Sequence, residues 1–122
     1  MQKRVLWGVK EMKTFICVRW QFEGFHSYPS APGEVAFLKN VHRHLFKCSA
    51  KIEVFHDDRE LEFFIVQRKL RSIFDNVGSD SMSCEMIANK VVSYVLDTYP
   101  GRSVTVEVSE DGENSSIVEY QR

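Results

Sequence analysis

The sequence lacks three features that would place it in a specialised class of protein. No apolar run approaches the roughly 18 residues of a membrane-spanning helix. Residues 1–7 include basic side chains but not the sustained apolar core of a signal peptide. The formal net charge of −1 argues against a broad basic surface for nucleic acid. We therefore expect no membrane partner and no nucleic-acid partner.

Cysteine is also scarce. The three cysteines, Cys17, Cys48 and Cys84, are odd in number and widely spaced, which is not the pattern of a disulfide framework. Reduced cysteines favour a cytoplasmic location. The chain has 122 residues, of which 43% are hydrophobic and 27% charged, and it shows no repeat or linker. These values predict one globular domain over residues 1–122.

Two long stretches of alternating residues predict strands, at residues 13–26 and 41–55. Side chains alternate between the two faces of a strand, so His42 and His44 lie on one face. That face continues through the apolar residues Phe46, Ile52 and Val54. His26 ends a similar face in the first strand, which is formed by Ile16, Val18, Trp20, Phe22 and Gly24. The pattern therefore predicts three inward-facing histidines.

Three histidines match the ligand set of a catalytic zinc site, which has three protein ligands and one open position. The alternative is that each imidazole is a core residue satisfied by hydrogen bonds. His-x-His is a short motif that also occurs by chance. Spacing alone leaves both interpretations open.

The rest of the chain predicts a hairpin, two helices and a final hairpin. A turn at residues 56–59 leads to a third strand at 61–66 and a helix at 67–76. Ser83 is the predicted N-cap of a second helix, which Pro100 and Gly101 end. The last hairpin joins residues 103–110 to 117–121.

This order, β-β-β-α-α-β-β, predicts an α+β fold with an antiparallel sheet and two helices on one face. Glu110 ends the buried face of Val104, Val106 and Val108, where an unpaired carboxylate would be costly. The alternative is that this carboxylate simply reaches solvent at the strand end.

Four segments in this order resemble the family of 6-pyruvoyl-tetrahydropterin and 6-carboxytetrahydropterin synthases, over about residues 13–121. The family has a strand that ends Phe-Ser-Ala-Ala-His, a His-Gly-His strand start, a Thr-Ser-Glu helix start and a Val-x-Val-x-Glu hairpin. The corresponding segments are Phe22-Glu23-Gly24-Phe25-His26, His42-Arg43-His44, Ser83-Cys84-Glu85 and Val106-Glu107-Val108-Ser109-Glu110.

The resemblance implies the tunnelling fold, or T-fold, in which subunits join their sheets into an oligomeric barrel. The common assembly is a homo-hexamer of two stacked trimers, with active sites between subunits. The resemblance also implies zinc (Zn²⁺) bound by His26, His42 and His44. Glu110 would anchor the guanidine-like edge of a pterin, with Ser83 and Cys84 beside the heterocycle.

The family's acid/base residues are not conserved in this chain. Leu38 stands at the position of the nucleophilic cysteine, and Lys39 at the glutamate that replaces it in some relatives. The Asp-His pair of the loop between the helices has no counterpart in residues 74–77, and Val66-Gln67 replaces an Asp-Phe pair. The family's reaction needs a positioned base.

Four residues are candidates to replace this set. Cys84, at a helix N-terminus that would stabilise a thiolate, is a candidate nucleophile or base, or else a small polar filler. His56 would act if its loop folds over a neighbouring subunit's site, although a solvated turn is the alternative. Glu34 has no feature that orients it, and Cys48 fits core packing better.

The first functional hypothesis is a zinc-dependent lyase acting on dihydroneopterin triphosphate or a related pterin, in queuosine or tetrahydropterin biosynthesis. The second is a non-catalytic oligomer that binds zinc and a pterin, or an enzyme of changed chemistry that uses Cys84. The third is a structural oligomer whose histidines only fill the core.

Overall fold

The two longest strands pair along their whole length. The computed structural model describes residues 6–7, 10–75 and 82–122. In it, β3 (Thr14–His26) and β4 (His42–Val54) are antiparallel, with a register that runs from Thr14 opposite Val54 to His26 opposite His42. Both strands have 13 residues, close to the predicted bounds. A small hairpin of β1 (Leu6–Trp7) and β2 (Lys10–Glu11) precedes them.

The last hairpin completes the sheet. β5 (Val104–Glu110) pairs with β4, and β6 (Asn114–Tyr120) pairs with β5, which gives the order β3-β4-β5-β6. All neighbours are antiparallel, as predicted. The β4–β5 register ends with Phe46 opposite Glu110, so β4 extends past β5 by the segment that carries His42 and His44.

Two α-helices cover one face of this sheet, as predicted. α1 (Phe63–Ser72) packs against β3, and α2 (Cys84–Thr98) packs against β5 and β6. The shared core includes Val66 and Leu70 of α1. Its sheet side is formed by the inward residues of β3, β4 and β5, namely Val18, Trp20, Phe46, Cys48, Ala50, Ile52, Val104, Val106 and Val108. Among the described residues, no helix is long and apolar enough to cross a membrane.

The start and end of α2 follow the sequence signals. The Ser83 hydroxyl accepts a hydrogen bond from the Met86 backbone N–H at 3.2 Å, which confirms the predicted N-cap. The helix ends at Thr98, just before Pro100 and Gly101. A 3₁₀ helix (Gly33–Lys39) lies between β3 and β4.

The predicted third strand at residues 61–66 is wrong, because α1 begins there. The Glu62 carboxylate accepts a hydrogen bond from the Ile65 N–H at 2.9 Å and caps the helix. Phe63, Phe64 and Ile65 are exposed, whereas Val66 and Leu70, four residues apart, are buried. The apolar run is therefore the exposed first turn of a helix. The helix predicted at 67–76 starts earlier and ends at Ser72.

An ion pair between the buried Glu53 and the exposed Arg122 closes the end of the sheet opposite the histidines. Glu53 is fully buried, and its carboxylate accepts hydrogen bonds from Arg122 Nε at 2.8 Å and from the Ser103 N–H at 2.9 Å. Burial alone raises the pKa of Glu53, but these hydrogen bonds and the Arg122 charge outweigh it and lower the pKa to about 2. The ionised form is therefore the one that stabilises the fold.

We expect Glu53→Gln to lower the free energy of unfolding at pH 7 by about 3 kcal/mol, because it leaves a guanidinium without its buried partner. The folded-state pKa of Glu53 is depressed from 4.5 to about 2, so its stabilisation is present above pH 4.5 and fades as the pH falls towards 2. Urea unfolding at several pH values measures this effect. Glu119→Gln, at an exposed position, is the control. A stability gap that stays constant from pH 7 to pH 2.5 would contradict the assignment.

Candidate functional site

The register of β3 and β4 brings three imidazoles together at one end of the sheet. His26 pairs with His42, and His44 follows two residues later on the same face. Ring centroids are 4.6 Å apart for His26 and His42, 5.0 Å for His26 and His44, and 4.9 Å for His42 and His44. One nitrogen of each ring lies within 4.8 Å of those of the other two. The predicted convergence is therefore present, and the three side chains can hold a metal ion.

Each ring is oriented by a hydrogen bond from its Nδ1 atom. His26 donates to the Met82 carbonyl at 3.1 Å, and His42 donates to the Asn40 carbonyl at 2.7 Å. His44 donates to the Asp111 carboxylate at 2.7 Å. All three acceptors are oxygens without a proton to give, so Nδ1 carries the hydrogen and Nε2 carries the lone pair. Metal-ligating histidines are held in this way.

The Nε2 atoms are left available for an ion. Within the described part of the chain, His44 Nε2 is buried and has no hydrogen-bond partner. A buried polar atom without a partner is costly, and an ion would satisfy it. Three neutral imidazoles suit zinc. The residues present therefore fit a zinc ion. If the rings only filled the core, a neutral His44 would keep a buried Nε2 atom without a hydrogen bond.

Glu110 lies beside this cluster. It is the last residue of β5, on the face that the helices cover, and its side chain is 35% exposed. Its carboxylate oxygens are 3.5 Å from His26 Nε2 and 3.7 Å from His44 Nε2. The Glu110 carboxylate therefore points towards the histidines and not away from them into solvent, which was the alternative.

Asp111 was not anticipated as part of the site. The sequence places it in the connection between the last two strands, where an Asp-Gly pair indicates a turn. In the fold its carboxylate bonds both the His44 ring and the Leu45 N–H, at 2.7 Å and 2.9 Å. It is 67 positions from His44. No local pattern marks that contact; only the β4–β5 register reveals it.

A cleft of about 610 Å³ opens beside the histidines, a size that suits a small-molecule ligand. Its walls come from the end of β3, the start of α2 and the β5–β6 hairpin. The lining residues include His26, His42, Glu110, Ser83 and Cys84. Two of the three histidines predicted to bind metal thus line the same cavity as the residues predicted to contact the ligand. His44 is not among the lining residues, but its ring centroid lies 5.0 Å from that of His26.

The predicted stabilisation of a Cys84 thiolate is contradicted. Burial, together with the nearby charges of Glu110 and Glu85, raises the pKa of the Cys84 thiol to about 11. In the metal-free protein these surroundings favour the protonated thiol. A catalytic role for Cys84 remains a prediction without support from its electrostatics.

The other candidates lie apart from the cluster. His56 is exposed beyond Val54, at the end of β4 opposite His42, and its Nδ1 accepts from the Asp58 N–H at 3.2 Å. Glu34 is exposed in the first turn of the 3₁₀ helix. Leu38, which is not one of these candidates, lines the cleft. Cys48 is core, as predicted, and burial raises the pKa of its thiol to about 12.

The segment predicted to lack the Asp-His pair lies partly outside the described residues, which stop at Asp75 and resume at Met82. Asp75 itself is exposed. The absence of a histidine from residues 74–77 follows from the sequence alone.

Comparison with solved structures finds 6-pyruvoyl tetrahydropterin synthase from Plasmodium falciparum, with a TM-score of 0.68 at 13% identity. The match covers 90% of this chain and 99% of the other. The likeness confirms the fold. It is the predicted α+β T-fold. No protein-family model and no curated protein matches the sequence. At 13% identity the comparison supports the fold but no activity. The activity has to be argued from the residues of the site.

We expect His42→Ala to abolish stoichiometric zinc binding, because it removes one of only three ligands. His42 is half-buried, so the variant should still fold. The measurement is the metal content of purified protein dialysed against equimolar zinc, by atomic emission. His56→Ala, which removes an exposed histidine at the opposite end of β4, is the matched control. Equal zinc content in both variants would place the metal elsewhere.

Proposed function

We propose that this chain is a zinc-dependent protein that acts on a pterin-type small molecule, similar to 6-pyruvoyl- and 6-carboxytetrahydropterin synthases. The observation that carries the proposal is the convergence of one ring nitrogen from each of three histidines, two of which line a cleft together with Glu110. A structural core would need neither an uncompensated Nε2 atom nor an adjacent cavity. Residues 1–122 would act as one domain.

Zinc would be held by His26, His42 and His44. When bound it would supply a Lewis acid that polarises an oxygen of the ligand. The chain's own contribution is orientation: the hydrogen bonds from the three Nδ1 atoms fix the planes of the rings before any ion arrives. Three protein ligands leave one position free for the small molecule.

Glu110 would anchor the ligand. An ionised carboxylate binds the paired N–H groups of a 2-amino-pyrimidinone edge through two parallel, charge-assisted hydrogen bonds. Its 35% exposure leaves room for that contact from the cleft. Ser83 and Cys84 form the neighbouring wall. Ser83 uses its hydroxyl as a helix cap, so it would contribute through shape and position.

Assembly and location are also part of the proposal. β3 and β6 are the edge strands of the sheet, and such edges pair readily with other chains. A homo-oligomer built from trimers, as in a hexamer, would join them and bring a second chain towards the cleft. The cysteines are free thiols, which favours the cytoplasm.

A second function is favoured by specific observations, namely zinc and pterin binding without catalysis. Leu38 occupies the position of the family's nucleophile, and the Cys84 thiol has a raised pKa. A lyase reaction on dihydroneopterin triphosphate needs a group that accepts a proton. An enzyme of changed chemistry would have to use Cys84, or His56 from a neighbouring subunit.

Turnover distinguishes these functions. Zinc-loaded protein is incubated with 7,8-dihydroneopterin triphosphate, and loss of the substrate is followed by chromatography. Under the first function we expect substrate loss that Cys84→Ser leaves unchanged within about twofold, because the thiol is protonated. Loss of turnover in Cys84→Ser with intact zinc would support the changed chemistry. No turnover by fully metallated protein that still binds the pterin would support the non-catalytic function.

We expect Glu110→Gln to weaken pterin binding by about 10- to 100-fold, since hydrogen bonds to a charged group contribute roughly 1.5–3 kcal/mol. Isothermal titration of zinc-loaded protein with 7,8-dihydroneopterin triphosphate measures it. Zinc content should remain stoichiometric, because Glu110 is assigned to the ligand.

Glu113→Gln is the control for Glu110→Gln. It removes the same charge from an exposed position three residues later. Equal affinity in Glu110→Gln and the wild type would remove the anchor from the proposal. Loss of zinc from Glu110→Gln would make Glu110 a metal ligand instead.

A further inference from the structure

We propose that Asp111 is a positioning residue, which fixes the His44 ring for metal binding and ties that ring to the β5–β6 hairpin. The inference rests on the proposed zinc site. It assigns a role to a residue outside the three ligands and Glu110. Asp111 touches neither the cleft nor the other two histidines in the described contacts, so its effect passes through His44.

Asp111 extends the sheet by one step beyond the last strand pair. The β4–β5 register ends with Phe46 opposite Glu110. Beyond it, the Asp111 N–H donates to the Leu45 carbonyl at 2.8 Å, and the Leu45 N–H donates to Asp111 Oδ1 at 2.9 Å. The side-chain oxygen thus takes the place of a backbone carbonyl. Two hydrogen bonds to the same residue hold Asp111 against β4.

The backbone at Asp111 shows that this arrangement is specific. Its φ of 56° is in the left-handed region, which few residues other than glycine adopt, and aspartate is among the exceptions. Gly112 follows with a φ of 80°, so the chain turns sharply into β6. This turn lets the carboxylate point back along β4 towards His44.

The second oxygen completes the link. Asp111 Oδ2 accepts a hydrogen bond from His44 Nδ1 at 2.7 Å, while Oδ1 stays on Leu45. A carboxylate fixed at one oxygen cannot rotate freely, so the ring that donates to the other oxygen is also fixed. The hydrogen bonds from the His44 ring and from the Leu45 N–H lower the pKa of Asp111. An anion behind Nδ1 also makes Nε2 a stronger donor to a cation.

His44 differs in this respect from the other two ligands. His26 and His42 donate to backbone carbonyls, of Met82 and Asn40. Within the described residues, His44 is the member of the triad whose Nδ1 donates to a side chain. A substitution at position 111 would therefore change the affinity of the site for a metal ion while leaving the three histidines unaltered.

The test compares Asp111→Asn and Asp111→Ala with the wild type. Zinc affinity is measured by competition with a chromogenic chelator. We expect Asp111→Ala to weaken binding by about 10- to 100-fold. Asp111→Asn should weaken it less, because its single amide oxygen can still accept from either His44 Nδ1 or the Leu45 N–H, although not from both. Glu113→Gln, which removes one charge from the same turn, should retain wild-type affinity. If Glu113→Gln and Asp111→Asn lost zinc affinity equally, the effect would be one of net charge, and the proposal would be overturned. Unchanged zinc affinity in Asp111→Ala would also overturn it.

A second readout does not depend on metal. The ¹⁵N chemical shifts of the His44 ring in metal-free protein report which nitrogen carries the hydrogen. The wild type should show the Nδ1–H form, and Asp111→Ala should show a mixture. If the wild type binds no zinc but retains the Nδ1–H form, the zinc function fails and the positioning role stands. A mixture in the wild type would overturn the positioning role.

Discussion

The pairing of β3 with β4 is the constraint on which the site depends. Both strands have 13 residues, and their register places His26 opposite His42. A slip of one residue would turn a whole strand over and send its histidines to the opposite face. The apolar residues on the same faces prevent that slip, because their burial under α1 and α2 specifies the register. The hydrophobic core thus holds the three imidazoles in place.

The site lies at the end of the sheet where the hydrophobic core stops and the cleft begins. β4 extends beyond β5, so His42 and His44 lie past the last covered strand pair. Glu110 is the last residue of β5, and Asp111 follows it. Their two carboxylates lie beside the histidines and point in different directions. Glu110 lies on the Nε2 side of His44, and Asp111 lies on the Nδ1 side. Glu110 and Asp111 are consecutive, yet they approach different nitrogens of His44. The reason is that β5 ends at Glu110 and the chain turns at Asp111.

The main functional question is whether this chain only binds a metal ion and a ligand or also catalyses a reaction. One nitrogen from each of His26, His42 and His44 lies close enough to the others to hold a metal ion. Two of these histidines line a cleft with Glu110, whereas Leu38 of the same cleft has no group that could accept or donate a proton. A fold alone does not fix an activity, so the likeness in architecture is compatible with a lyase and with a binding protein.

The alternation of residues in β3 and β4 determined the long strands and the inward direction of the three histidines, because a period of two fixes direction locally. The pairing of the two strands then brought the histidines together. Ser83 likewise marked the start of α2 through its own hydrogen bond. Tertiary structure decided the rest. The run at 61–66 is helical because Glu62 caps it, and a short apolar run has no period of its own that distinguishes strand from helix. The Cys84 thiol is protonated because Glu110 and burial surround it, and Asp111 reaches His44 across 67 positions. Such contacts arise only when distant strands are aligned, and no local sequence pattern records them.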